Sequence, residues 1–270
     1  MNASPCRLCG ARAAWVGTQP LLAKYDVAYF LCDACELLET EPPHWLDEAY
    51  STAISRLDTG AVQRNQECAR LTQLVAGLLD LPADARCLDY GAGHGVFVRM
   101  MRDLGLDFAW ADKLADNLYA GGFEGDPHDH HALVTAFEVL EHFADVRADL
   151  EQLFAGAPDH VLVGTVLHTG YQPGWWYYLP DSGQHVAFYA PRTLAWVAQH
   201  FGYDVVVGPE YSLFSRTRLA GVRRALVQQV LRRPRAAIEL AALVPAPLRR
   251  RLGPYRSLVQ ADHDRMRAKR

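Results

Sequence analysis

The segment Leu88-Asp89-Tyr90-Gly91-Ala92-Gly93-His94-Gly95 follows the apolar run 85–88 and opens onto Val96-Phe97-Val98-Arg99-Met100-Met101. An apolar strand ending in a carboxylate, then glycines at alternate positions, then a helical stretch, reads as a cradle for a nucleotide-like cofactor. Glycine permits the tight turn and lets a ligand reach the main chain without meeting a Cβ. The helix N-terminus adds unpaired amide donors. The spacing is Gly-x-Gly-x-Gly, not the Gly-x-Gly-x-x-Gly of dinucleotide binders. With no pyrophosphate to bind, Asp89 can face the ammonium of an amino-acid-like ligand.

Outward from this turn the chain alternates between strand and helix patterns. Residues 85–90, 108–112, 133–137, 161–166 and 203–207 read as strands, and 96–104, 146–154 and 193–201 as helices. That alternation predicts an α/β fold with a doubly wound, mostly parallel sheet, whose ligands sit at the carboxyl ends of the strands. Asp89 and Asp112 both fall at such ends. Ahead of the sheet, 61–81 carries Leu71, Leu74, Val75, Leu78 and Leu79 at helical spacing. The expected organisation is a small module over 1–45, a Rossmann-like domain with its helical lead-in over 46–215, and a basic helical tail over 216–270.

These motifs resemble the class I S-adenosylmethionine-dependent methyltransferases, whose first motif is acid-x-Gly-x-Gly-x-Gly. The resemblance continues through Asp112 and through Thr135-Ala136-Phe137-Glu138-Val139-Leu140-Glu141-His142, similar to an element of the small-molecule members. It implies S-adenosyl-L-methionine bound by Asp89, Gly91, Gly93, Gly95, Asp112 and Phe137. Asp112 would take the ribose hydroxyls, because a carboxylate accepts two donors at once. Phe137 and Glu138 would line the methionine end or the acceptor mouth, while Glu141 and His142 either share that mouth or orient the next helix. One departure is plain. Only about 20 residues separate Asp112 from the 133–137 strand, so Asn117 to Phe123 must stand in for a helix and a strand. Asp126 is then a weak candidate for the adenine contact. The cluster Asp126-Pro127-His128-Asp129-His130-His131 matches no metal-ligand spacing and reads as a solvated loop.

Cys6-x-x-Cys9 and Cys32-x-x-Cys35 form paired knuckles. Such pairs predict one structural, all-thiolate Zn2+ site, because four thiolates leave no open position for water. Cys68 and Cys87 lie in apolar settings and read as core. A zinc-ribbon-like N-terminus ahead of such a core is similar to the sugar C-methyltransferases and to other bacterial enzymes acting on glycans and secondary metabolites.

Residues 168–189 hold the most unusual composition. Trp175-Trp176-Tyr177-Tyr178 follow Pro173 and Gly174, and the expectation is that four adjacent aromatics cannot all face a core. Stacking on a flat acceptor is weighed against a hydrophobic lid. Gln184-His185-Val186-Ala187-Phe188-Tyr189 resembles the Glu-His-x-x-Tyr-Phe element of the sugar enzymes, with Gln184 in place of the glutamate. The resemblance makes His185 the candidate general base, with Tyr177 and Glu138 as further catalytic candidates. The alternative is a structural histidine bonded to a loop carbonyl.

The net charge of −4 conceals an asymmetry: from Tyr211 onward fifteen Lys and Arg face three acids, so a tail of +12 follows a body of −16. Leu219, Val222, Leu226 and Val230 read as one apolar face of a basic helix. Such a helix can lie on an anionic membrane, dock on the acidic body or meet a protein partner. A nucleic-acid surface is disfavoured, because few aromatics interleave with the arginines. No apolar run is long enough to span a membrane and the N-terminus lacks a signal-peptide core. A cytoplasmic location is therefore expected. The acceptor most in keeping with these features is a small molecule, sugar or sugar-linked. RNA or protein methylation, and a cofactor-binding scaffold without turnover, stay open.

Overall fold

Two β-sheets share their packing in the computed structural model, which describes residues 3–50, 59–243 and 255–268. The larger sheet contains β5 (Arg86–Tyr90), β6 (Asp107–Ala111), β7 (Leu133–Phe137), β8 (His160–Gly164), β10 (Asp204–Val207) and β11 (Tyr211–Ser215), in the order β10-β11-β8-β7-β5-β6. Neighbours from β8 to β6 pair in parallel, and β11 runs antiparallel to both β8 and β10. The mostly parallel sheet expected from the alternation is therefore present, within a residue or two at most ends. The β11 strand was not anticipated, because Tyr211-Ser212-Leu213-Phe214-Ser215 is too short to separate from a loop by pattern. The chain leaves β5 for β6 on one side and returns to β7 on the other. The carboxyl end of β5 is thus a topological switch point, where open α/β sheets take their ligands.

Five helices flank this sheet: α2 (Ala61–Leu78), α3 (Val96–Asp103), α4 (Val146–Leu153), α5 (Pro191–Phe201) and α6 (Gly221–Arg232). In α2 the buried side chains are Cys68, Ala69, Leu71, Thr72, Val75 and Ala76, an i, i+3, i+4, i+7 stripe that joins the core around Phe97, Phe108 and Leu133. Cys68 and Cys87 are buried there.

The smaller sheet runs β1 (Ala3–Pro5), β2 (Arg12–Leu21), β3 (Tyr25–Cys32), β4 (Leu38–Thr40) and then β9 (Ala187–Phe188), a strand drawn from far along the chain. The strands between Ala3 and Thr40 thus form a sheet completed by β9 of the Gln184–Tyr189 region. Cys6, Leu8, Phe30, Cys32 and Leu37 pack in one cluster with Leu88, Val134 and Val161 of the larger sheet. Arg7, inside the first knuckle, is a half-buried tie. Its guanidinium donates to Glu39 at 2.9 Å, to the Ala144 carbonyl at 2.9 Å and to the Val186 carbonyl at 2.7 Å.

This second sheet bears on the four-aromatic run, whose rings, as expected, do not all face a core. Tyr177 and Tyr178 are buried, and Trp175 packs against Tyr178 and Phe188 in a cluster with Tyr29 and Trp45. Trp176 alone stands out, 65% exposed. The lid reading holds for three of the four rings.

The tail also differs from the expected register. In α6, Val227 and Leu231 are buried while Val222 and Leu226 face outward. The face is shifted because Arg224 turns inward to pair with Asp204 and to donate to the Val205 carbonyl. Arg223 pairs with Asp80, and Arg235 of α7 (Pro234–Leu243) lies 3.5 Å from Glu67. Part of the basic surplus therefore neutralises the acidic body. The last described helix, α8 (Val259–Ala268), docks on α3 through Asp262, which is buried against Arg102. No described helix is long and apolar enough to cross a membrane.

Candidate functional site

The glycine turn at the end of β5 has Gly91, Gly93 and Gly95 at φ of 73°, 51° and 85°. Two of them have distinct reasons. A Cβ on Gly91 would lie 2.5 Å from Val139 Cγ2, whereas one on Gly93 would meet nothing within 4 Å. Gly91 is thus required by protein packing. Gly93 leaves open space over the turn, as a closely approaching ligand needs. The Gly93 amide donates to Asp112 Oδ2 at 2.8 Å, and its carbonyl accepts from Trp110 Nε1 at 2.7 Å. Asp112 Oδ1 takes the Leu114 and Ala115 amides at 2.7 and 2.8 Å. The carboxylate therefore pins the glycine turn to the end of β6, with both acceptor sites of Oδ1 filled and one left on Oδ2.

Asp89 is buried. Its Oδ1 accepts from Thr135 Oγ1 at 2.7 Å, and burial pushes its carboxyl up to about 7. It lines a cleft together with Arg64, Asn65, Cys68, Phe97, Phe137 and Glu138. Phe137 is held edge-on between Phe97 and Tyr211, with ring centroids 5.3 and 5.9 Å away. Glu138 takes a left-handed φ of 55°, a conformation that costs a non-glycine residue about 1–3 kcal/mol and clusters at functional sites. Sequence reasoning missed Arg64 and Asn65. Their only signal is a pair of polar residues on an otherwise buried helix face, and nothing local says that α2 crosses the carboxyl end of β5.

The shortened 112–132 connection is built as a brace. Leu118 and Tyr119 amides both donate to the His94 carbonyl, at 3.2 and 3.0 Å. Trp110 exchanges backbone bonds with Phe123 and Gly125, so Glu124 makes a single parallel bridge where a strand would lie. Asp126 does not serve the cleft. The loop it begins runs to the amino ends of the strands, where Ala132 donates to the Arg86 carbonyl and Asp129 lies 3.6 Å from Arg86. Asp126 itself pairs with His128 at the surface. As an adenine contact it is corrected, because strand direction puts it on the wrong edge of the sheet.

Beyond Glu138 a short 3-10 turn, Leu140–His142, carries two more polar groups inward. Glu141 is 0% exposed; its Oε1 accepts from Tyr177 Oη at 2.5 Å, and Oε2 has no partner among the described residues. Burial pushes its carboxyl up to about 7, and Arg64 of the cleft is near enough to oppose that rise. His142 Nδ1 lies 2.9 Å from Tyr50 Oη. His185 is 3% exposed, and its Nδ1 lies 2.7 Å from the Tyr177 carbonyl. A carbonyl only accepts, so Nδ1 carries the proton and Nε2 the lone pair. Burial pushes His142 down to about 3 and His185 down to about 4, so both rings are neutral. The two rings meet edge-on at 4.9 Å. The carbonyl bond matches the structural alternative for His185, while Nε2 stays chemically available. Neither His142 nor Glu141 caps α4; Asp145 does, accepting from the Ala148 amide.

In the smaller sheet the sulfurs of Cys6, Cys9, Cys32 and Cys35 all lie within 4.8 Å of one another. Cys6–Cys35 and Cys9–Cys32 are 3.7 and 3.4 Å apart. A tetrahedron of Zn–S bonds of about 2.3 Å sets its sulfurs about 3.8 Å apart, so the residues fit such an ion. Backbone amides of Leu8, Ala34 and Cys35 point at Cys6 and Cys32 sulfurs at 3.4–3.5 Å, which suits thiolates.

A family model described as a methyltransferase domain matches residues 61–207. No curated protein sequence matches the chain. Among solved structures, the 1,6-didemethyltoxoflavin-N1-methyltransferase of Burkholderia thailandensis is similar at 16% identity and a TM-score of 0.45, over 74% of this chain and 97% of that one. The magnesium protoporphyrin IX methyltransferase of Synechocystis PCC 6803 is similar at 14% identity and 0.43, over 64% and 93%. An O-methyltransferase family protein of Burkholderia thailandensis is similar at 18% and 0.42, over 66% and 68%. With its glycine turn, switch-point cleft and matched domain, the chain belongs to the methyltransferase domain family and is an S-adenosylmethionine-dependent methyltransferase.

Proposed function

We propose that the enzyme methylates a small, hydroxyl-bearing molecule, a sugar or sugar-linked intermediate. The observation that carries this reading is the buried polar cluster of Glu141, His142, Tyr177 and His185 beside the Glu138 end of the cleft. An apolar or purely aromatic acceptor would leave Glu141 Oε2 unpaired, at about 1–3 kcal/mol. A hydroxyl satisfies it. The 3-10 turn and the aromatic lid bury this cluster, which fits a small acceptor better than a polymer strand. Radiolabelled methyl transfer from S-adenosylmethionine, offered to free sugars, nucleotide sugars, small phenols, RNA and protein, tests the reading. Label in a polyhydroxylated small molecule is expected; label confined to RNA or protein overturns it.

In this reading S-adenosylmethionine lies over Gly93, its ribose toward Asp112 and its ammonium toward Asp89, with Phe137 and Glu138 at the methionine end. The pKa of Asp89 makes a prediction. The cofactor's cation needs the ionised carboxylate, and burial holds that carboxyl at about 7. Affinity is therefore full at pH 8 and falls as pH drops through 7, by about tenfold at pH 6. Calorimetric titration with S-adenosylhomocysteine should show this slope in wild type and a weak, flat profile in Asp89→Asn. A flat wild-type profile removes Asp89 from the ammonium site.

Catalysis needs the acceptor aligned with the methyl carbon and its proton withdrawn. We assign the second task to the cluster around His185 Nε2. His185→Ala is expected to lower turnover by about a hundredfold while leaving cofactor affinity unchanged. Full activity would move the chemistry elsewhere, and lost cofactor binding would make the ring structural. Structural zinc at Cys6, Cys9, Cys32 and Cys35 completes the proposal.

A further inference from the structure

We infer that Glu141, His142 and His185 form a second metal site, one that takes a divalent transition ion of the zinc class. One oxygen or nitrogen from each of the three lies within 4.8 Å of the others. Two imidazoles and a carboxylate are the donor set of open zinc sites, which keep a position for an exogenous oxygen. Harder cations such as magnesium prefer all-oxygen shells.

Three details beyond proximity favour an ion. First, Glu141 Oε2 is fully buried and has no partner among the described residues, a defect that an ion would repair. Second, two of the donors are oriented from behind: Tyr177 Oη holds Glu141 Oε1, and the Tyr177 carbonyl holds His185 Nδ1. Ligating histidines characteristically have the far ring nitrogen bonded in this way, which fixes the His185 tautomer and leaves its Nε2 for the ion. Third, His142 is only half-buried, so an ion can reach a site whose other two ligands are enclosed.

The site adjoins the acceptor mouth. Only its use in catalysis rests on the proposed function. There, an acceptor hydroxyl filling the open position would have its pKa lowered by the ion. His185 would then act as a ligand through Nε2, its Nδ1 proton being held by the Tyr177 carbonyl.

The test is metal content and ligand shell on the full, untagged chain, saturated with zinc and then desalted. Wild type is expected to hold two zinc ions. X-ray absorption should show a nitrogen–oxygen shell at about 2.0–2.1 Å beside a sulfur shell at about 2.3 Å. Glu141→Gln and His142→Gln should each lose one ion and the nitrogen–oxygen shell. His128→Gln, a surface histidine outside the cluster, should keep both. One ion with a sulfur-only shell in wild type overturns the inference, whether or not the variants fold. One ion with only nitrogen and oxygen ligands supports it and overturns the cysteine site instead. Turnover plays no part in either readout, so failure to find the acceptor leaves the metal result standing.

Discussion

With the four cysteines holding zinc as proposed, Cys32→Ser should release the metal and lower the melting temperature by roughly 10 °C or more. Structural zinc contributes about 10–16 kcal/mol of apparent binding energy to its fold, and that energy is folding energy. A domain's whole net stability is about 5–15 kcal/mol, so even the partial loss from one missing thiolate, at least about 3 kcal/mol, is large on that scale. The damage should not stay local. Cys32 ends β3, beside the Leu37–Thr40 segment that pairs with β9, and its neighbours Cys6 and Leu8 share a core with Leu88 and Val161. Calorimetry and metal analysis should therefore show loss of zinc together with a lowered transition for the whole molecule. Cys68→Ser, which alters a buried thiol away from the cluster, should keep the metal. Unchanged zinc and melting in Cys32→Ser would sink the zinc assignment.

The second large effect concerns the tail. Arg102 is 5% exposed, and its Nε and Nη2 each lie 2.8 Å from Asp262 carboxylate oxygens. Arg99 adds a third bond to the same carboxylate at 2.6 Å. Asp262→Ala would leave the buried guanidinium with only the half-exposed Asp107 and the Phe108 carbonyl, at a cost approaching but below the roughly 3–5 kcal/mol of a fully orphaned buried charge. The double change Arg102→Met with Asp262→Leu should be milder, because it removes the two buried charges together and leaves only the half-exposed Asp107 without its arginine. Denaturant titration separates the two. Equal destabilisation by the single and double variants would mean that α8 contributes packing and not charge. The pH dependence has a defined sign. Burial raises the Asp262 carboxyl, but the Arg102 and Arg99 guanidiniums outweigh it and hold it below its ordinary value. This contribution is thus present above about pH 4 and is lost as the pH falls through the depressed pKa.

The arginine fork also explains why the tail's charge misled. Read as a sequence, +12 over sixty residues invites an external polyanion. In the fold, Arg223, Arg224 and Arg235 meet Asp80, Asp204 and Glu67 of the acidic body. Composition records the surplus but not its partner, because the acids lie more than a hundred positions away in two of the three pairs.

What the sequence determined by itself was local. The acid-and-glycine turn, the strand–helix alternation and the paired cysteine spacings each depend on backbone rules that act within a few residues. They were legible because left-handed φ at Gly91 and Gly93 admits little else, and because an amphipathic helix writes its own period. The tertiary structure alone decided what lies against what. It brought β9 to the edge of the first sheet, and so decided that Tyr177 and Tyr178 enter a core while Trp176 stays outside. It laid Arg64 and Asn65 of α2 across the cleft, and sent Asp126 to the opposite end of the strands. It also collected Glu141, His142, Tyr50 and His185 from three separate segments into one buried polar cluster. Each of these is a contact between residues distant in the chain. Such contacts are set by which apolar faces cover one another, and no short window of sequence contains both faces.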